Sequence, residues 1–153
     1  MIANIMVQVG DWDSFKQQLV PIREVVFIQE QQVPADLEWD EYDQTAIHLL
    51  VQDVNQVGIA CARLMINTIL PDNQYGLFAK LGRMAVMQSH RRQGLGTMLI
   101  NKALAVAKSE HQHSMRLSAQ MQAVPFYEKA GFQMHSMPYL DANILHVDMI
   151  KLL

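Results

Sequence analysis

The 153-residue chain is 50% hydrophobic and 18% charged, with a net charge of -3, which suits one domain, residues 1–153, built on a single sizeable core. Such a charge gives no general basic surface for nucleic acid, and no apolar run approaches the roughly 18 residues needed to span a bilayer. A single cysteine, Cys61, rules out an intramolecular disulfide framework.

The N-terminus, "MIANIMVQVG", shows neither the charged leader nor the cleavage site of a signal peptide, so a cytoplasmic location is expected. "NIMVQV" alternates apolar and polar residues and predicts a strand ending at Gly10. "DSFKQQLVPIREVVFIQEQQ" has helical spacing, with Phe15, Leu19, Ile22, Val26 and Phe27 broadly on one side and a kink or restart at Pro21. "VPADLEWDEYDQT" is acidic and interrupted by Pro34, the pattern of a long loop. "AIHLLVQ" and "VGIACARLMI" read as two strands joined through "DVNQ" as a hairpin. A turn-rich link, "NTILPDNQYG", leads to the strand "LGRMAVM".

After that strand comes "RRQGLG", then a helix from Gly94 to Glu110 whose Leu95, Met98, Leu99, Ala103 and Val106 form the buried stripe. "MRLSA" predicts the next strand, "AVPFYEKA" a short helix ending at a C-cap Gly131, and "FQMHS" and "ILHVDMIKLL" the closing strands. The order implies an α/β domain around one mixed sheet. The strand-helix-strand portion over 80–118 predicts a parallel, right-handed crossover. Its loop then stands at the carboxyl end of a strand, where open α/β sheets bind ligands.

The first turn of a helix offers backbone N–H groups without intrahelical partners and a partial positive charge, so an anion fits there. Gly94 and Gly96 remove the Cβ atoms that would keep a phosphate from those amides, and Arg91 and Arg92 add charged donors. Two glycines with two arginines suit a polyphosphate. A Walker loop would need Gly-Lys followed by Ser or Thr, and a dinucleotide fingerprint would need a third glycine or alanine where Leu99 stands. Neither nucleotide reading survives.

The loop from Arg91 to Gly96, preceded by "LGRMAV" and followed by "PFYEKAGF" from Pro125 to Phe132, resembles the GNAT superfamily of acetyl-CoA-dependent N-acetyltransferases. "REVVFIQEQQVP", "EWDEYD", "HLL" and "ILHVDM" further resemble its small bacterial ElaA-like branch. The resemblance implies a central mixed, largely antiparallel sheet with a parallel strand pair at the cofactor site and flanking helices. It implies acetyl-CoA as co-substrate and no metal. Main-chain groups of Met84, Ala85 and Val86 would pair with the pantetheine arm, and the pyrophosphate would lie on the amides of Arg91, Arg92, Gln93, Gly94, Leu95, Gly96 and Thr97. Phe126 would lie against the arm, and Tyr127 matches the tyrosine that protonates the departing thiolate in many members. Arg92 departs from the family pattern, which often has glycine there.

The chemistry is coherent on its own terms. A thiolate leaving group gains from a proton donor, which a phenol can supply. An alkyl amine with a pKa near about 10.4 is neutral in only about one molecule in 2,500 at pH 7, a penalty of roughly 4.6 kcal/mol, so a base helps. Candidates for that base or for binding the amine are Glu30, Glu38, Asp40, Asp43, His48 and His146. The expected partner is a small-molecule or peptide amine, with monomer and homodimer both open. Two rivals stand beside this reading: a CoA-binding sensor without turnover, and a ping-pong acyltransferase through Cys61. His111 and His113 follow a helix without an acidic or thiol partner nearby, and read as solvated loop residues rather than metal ligands.

Overall fold

Alternating apolar positions build an eight-stranded sheet in the computed structural model, which describes residues 5–69 and 76–153. The strands are β1 (Val7–Gly10), β2 (Ile47–Gln52), β3 (Gly58–Thr68), β4 (Phe78–Val86), β5 (Ser114–Gln120), β6 (Gln133–Met134), β7 (Tyr139–Asp141) and β8 (Ile144–Leu152). Their order across the sheet is β1-β2-β3-β4-β5-β8-β6, with β7 also paired to β8. Every pairing is antiparallel except β4 with β5. The link "NTILPDNQYG" falls largely outside the described residues.

Two helices cover opposite faces, and the period of two along β2 sends its residues to both. Leu49 and Val51 pack with Leu95, Leu99, Ile100 and Ala103 of α3 (Leu95–Ser109). Leu50 turns the other way, with Cys61 and Ala85, onto Leu19 and Ile22 of α1 (Trp12–Arg23). Leu99 is fully buried, so Leu99→Ala should cost about 2–5 kcal/mol. Among the described residues no helix is long and apolar enough to cross a membrane.

Asp11 starts α1 by accepting the Ser14 amide at 2.8 Å. Pro21 lies inside this helix and supplies no N–H to it. The backbone then widens into a π-helical segment, Glu24–Glu30, and the Gln31 amide reaches back five residues to the Val26 carbonyl at 3.2 Å. The expected acidic loop is instead wound into α2 (Ala35–Glu38) and a 3₁₀ turn, Glu41–Gln44. α4 (Val124–Lys129) ends as expected: Gly131 has φ +96°, and the Phe132 amide donates to the Tyr127 carbonyl at 3.1 Å.

One irregularity positions the site. Between Cys61↔Ala85 and Arg63↔Gly82, β4 advances three residues while β3 advances two. The extra residue is a bulge, and Arg83 there has φ +49°. The parallel pairing of β4 with β5 runs only from Phe78↔Ser114 to Leu81↔Leu117. Beyond it β4 stays on β3 and β5 stays on β8. The facing edges of β4 and β5 therefore part, leaving a wedge open between them.

Candidate active site

Two cavities meet in that wedge, sharing Gln31, Met84 and Phe126. One, of about 480 Å³, lies between the end of β4 and the start of α3. Met84, Ala85, Val86, Arg91, Arg92, Gly94, Leu95, Gly96, Thr97 and Phe126 all line it, together with Glu30 and His90. Gln93 is exposed and stands outside that lining. No side chain caps the first turn of α3, and that turn carries no acidic residue. Its amides therefore remain available to an anion.

The two glycines serve different ends. Gly94 is the N-cap, with φ +83°, and a Cβ there would meet nothing within 4 Å. Its value is the left-handed backbone. Gly96 has the opposite constraint: a Cβ would stand 3.0 Å from Cζ of Phe126. Arg92 also takes a left-handed φ, +63°. A left-handed backbone is one that glycine adopts without the Cβ penalty an arginine carries there.

Arg91 was expected to reach toward phosphate. Its guanidinium instead donates from Nη2 to Glu30 at 2.9 Å and from Nε to the Val86 carbonyl at 2.9 Å. Both partners are about a third exposed, so the pair contributes little energy. Its effect is geometric: it ties the loop to β4 and to the π segment across the cavity. Gln120 and Gln31 add a second tie, from β5, at 2.8 Å.

The second cavity, of about 420 Å³, continues along the wedge and is lined by Glu38, Arg63, Lys80, Ser118, Tyr127, Asp141 and His146, among others. Tyr127 lies between Phe126 and Phe132, at ring separations of 5.2 and 6.1 Å. Burial pushes its phenol up to about 12. It thus stays protonated across the neutral range, as a donor must.

The acidic segment is neither a solvated face nor an open trap for cations. Glu38, Asp40 and Asp43 meet Arg23, Arg63 and Arg83, three carboxylates against three guanidinium groups. Arg23 is 1% exposed and bonds Glu38 at 2.7 Å and Asp43 at 2.8 Å. Its guanidinium carbon lies 4.8 Å from the Trp39 ring centroid. Arg63 donates to Asp40 at 2.7 Å, and Arg83 reaches Glu38 and Asp40 at 3.1 Å each. Burial raises the Glu38 carboxyl despite Arg83 and Arg23. Burial also opposes ionisation of Asp40, but the hydrogen bond and charge of Arg63 outweigh it and hold that carboxyl low. Of these acids only Glu38 lines the cavity; Asp40 and Asp43 do not.

His48 is likewise removed from the cavity. It is 1% exposed, 5.4 Å from the Trp12 ring, with Nε2 at 2.8 Å from the Asp43 carbonyl. Burial lowers its pKa. Cys61 is buried under α1, and desolvation pushes its thiol up to about 12. Burial and a raised thiol make Cys61 a poor nucleophile, which counts against a ping-pong route through it. Two of the three arginines carry a legible sign in the sequence. Arg63 interrupts "GIACARLMI" and Arg23 interrupts "PIREVVFI", and a charge within an apolar element requires a buried partner.

The profile of the family described as "Acetyltransferase (GNAT) domain" matches residues 14–153. The protein named "Uncharacterized N-acetyltransferase YjcF" of Bacillus subtilis is 37% identical over 132 residues, covering 85% of this chain and 87% of that protein. The crystal structure of an acyl-CoA N-acyltransferase from Pseudomonas aeruginosa superposes with a TM-score of 0.81 at 26% identity, covering 97% of this chain and 99% of that one. Escherichia coli ElaA superposes with a TM-score of 0.80 at 25% identity, covering 96% and 99%.

Proposed function

The chain belongs to the GNAT acyltransferase family, and on that premise we propose that it transfers an acetyl group from acetyl-CoA to a primary amine by direct attack. The observation that carries this reading is the continuity of the two cavities through Gln31, Met84 and Phe126. It joins a helix start with uncapped amides, suited to an anion, to a chamber holding the Tyr127 phenol.

The residues fit acyl-CoA in detail. The amides of the loop through Thr97 would take the pyrophosphate, and the close approach of Gly96 to Phe126 leaves no room for a side chain in that passage. Past Leu81, β4 has no strand paired on its β5 side among the described residues, so an extended arm could lie along Met84, Ala85 and Val86 as another strand would, with the Val86 carbonyl exchanging its Arg91 partner for the arm. Acetyl-CoA supplies an activated thioester carbonyl when bound. Tyr127, on the chamber wall and held between Phe126 and Phe132, would give its proton to the sulfur as the C–S bond breaks.

Thiol release from acetyl-CoA, followed over a panel of small amines and peptide N-termini, tests the reading. Release matched one-for-one by acetylated amine supports it. Binding of CoA with no release on any acceptor would recast the protein as a CoA-binding sensor.

A further inference from the structure

We propose that His146 is the general base that removes the acceptor's proton, an assignment that rests on the acyltransferase reading above. The base must offer an unshared lone pair on the wall of the chamber that holds Tyr127. Glu38 stands there too, but Arg23 and Arg83 pair with its Oε2 at 2.7 and 3.1 Å, and two guanidinium charges on one carboxylate oppose its taking up a proton. Glu30 lines the neighbouring cavity and is paired with Arg91. Asp40, Asp43 and His48 lie outside the chamber wall.

His146 lies on that wall, and its tautomer follows from its contacts. Nδ1 stands 2.6 Å from the Ile144 carbonyl. A carbonyl only accepts, so Nδ1 carries the hydrogen, and in the neutral ring Nε2 holds a free lone pair. The imidazole is also stacked on Tyr139, at 6.2 Å between centroids and 22° between planes. Tyr139 is itself fixed, donating to Asp148 at 2.5 Å and bonded to Ser118. The ring is thus braced from one side and oriented from below by its own strand.

The step balances. The neutral amine attacks the thioester carbon and forms the C–N bond. Its surplus proton passes to Nε2 of His146. The C–S electron pair leaves on sulfur, which takes the Tyr127 proton. Net transfer of one proton from imidazolium to tyrosinate through solvent restores both groups.

Other ionisable groups face the same ring or chamber. Tyr139 and Asp141 come from β7 and Asp148 from β8. Arg63, Lys80, Arg83, Glu38 and Tyr127 come from the elements opposite. Asp141 is the rival among them, being on the chamber wall and exposed. Its position suits attraction of a cationic amine.

The experiment measures pH–rate profiles for wild type, His146→Asn and Asp141→Asn, with calorimetric CoA binding and thermal melting on each. Asparagine can retain the donor to the Ile144 carbonyl while removing Nε2. His146→Asn should lower kcat/KM for the amine by about 10²-fold, abolish the acidic limb, leave CoA affinity unchanged and regain rate with added imidazole. Asp141→Asn should raise the amine KM and keep the limb. An acidic limb that persists in His146→Asn, or vanishes in Asp141→Asn instead, overturns the assignment while leaving the acyltransferase reading intact. A wild-type protein that acetylates no amine overturns both.

Discussion

Gly96 and Phe126 face each other so closely that a Cβ at position 96 would stand 3.0 Å from the ring's Cζ. Phe126 borders both cavities, so a side chain at 96 presses on the ring that the two cavities share. Gly96→Val should weaken CoA binding at least tenfold, about 1.4 kcal/mol. Gly94→Ala should act differently, because its position is strained but open. It should cost about 1–2 kcal/mol of stability with a smaller effect on affinity. Titration calorimetry alongside urea unfolding separates the two.

Tyr127→Phe keeps the ring between Phe126 and Phe132 and removes only the hydroxyl. It should lower kcat by roughly 10²-fold and leave CoA affinity nearly intact. Because burial raises the phenol to about 12, Tyr127 should cause no loss of rate up to pH 10. The same shift bears on folding. The buried neutral phenol contributes stability that is full below its unfolded value of 10.0 and is lost as pH rises toward about 12. A wild-type rate that falls between pH 8 and 9, with the fall absent in Tyr127→Phe, would contradict this.

The buried arginine network should answer in stability rather than in substrate affinity. Arg23→Met leaves Glu38 and Asp43 without their shared partner, both nearly fully buried. A loss of about 3–5 kcal/mol is expected. Arg83, a quarter exposed, should cost less when replaced by Met. Asp43→Asn should likewise lower stability while leaving the acceptor KM of the remaining folded protein unchanged. Denaturant unfolding and steady-state kinetics on the same preparations check the separation.

His48 makes the fold sensitive to mild acid. Its folded pKa lies below the unfolded value of 6.5 because burial disfavours the charged ring. The unfolded chain therefore binds the proton first, so stability is full above pH 6.5 and declines as pH falls through that window. Asp40 adds a second decline below its unfolded value of 3.8, since Arg63 holds its folded pKa lower still. Melting temperatures from pH 7.5 to 5 should fall in wild type, and His48→Gln should flatten the slope.

The elements with strong local periodicity were readable from the chain. α3, the hairpin of β2 and β3, and the glycine cap at Gly131 all follow from spacing and turn chemistry. The loop into α3 was readable because glycine and arginine choices there are local. The acidic segment was not. Its carboxylates are matched by arginines from α1, β3 and β4, far along the chain, and no local pattern reveals such partners. The bulge at Arg83 and the short strand β7, which sets Tyr139 against His146, are likewise products of sheet register. In the sequence His146 stands only as one of six candidates for the base or for binding the amine. Only the position of β7 and the Ile144 carbonyl give it a free nitrogen.

A crystal structure of the protein with CoA tests the central claim most directly. The account predicts the pyrophosphate on the amides of Arg91 through Thr97, the pantetheine arm between the parted edges of β4 and β5, and the sulfur within hydrogen-bond reach of the Tyr127 hydroxyl. A pyrophosphate bound elsewhere, or an arm that leaves the wedge empty and the sulfur remote from Tyr127, would contradict it.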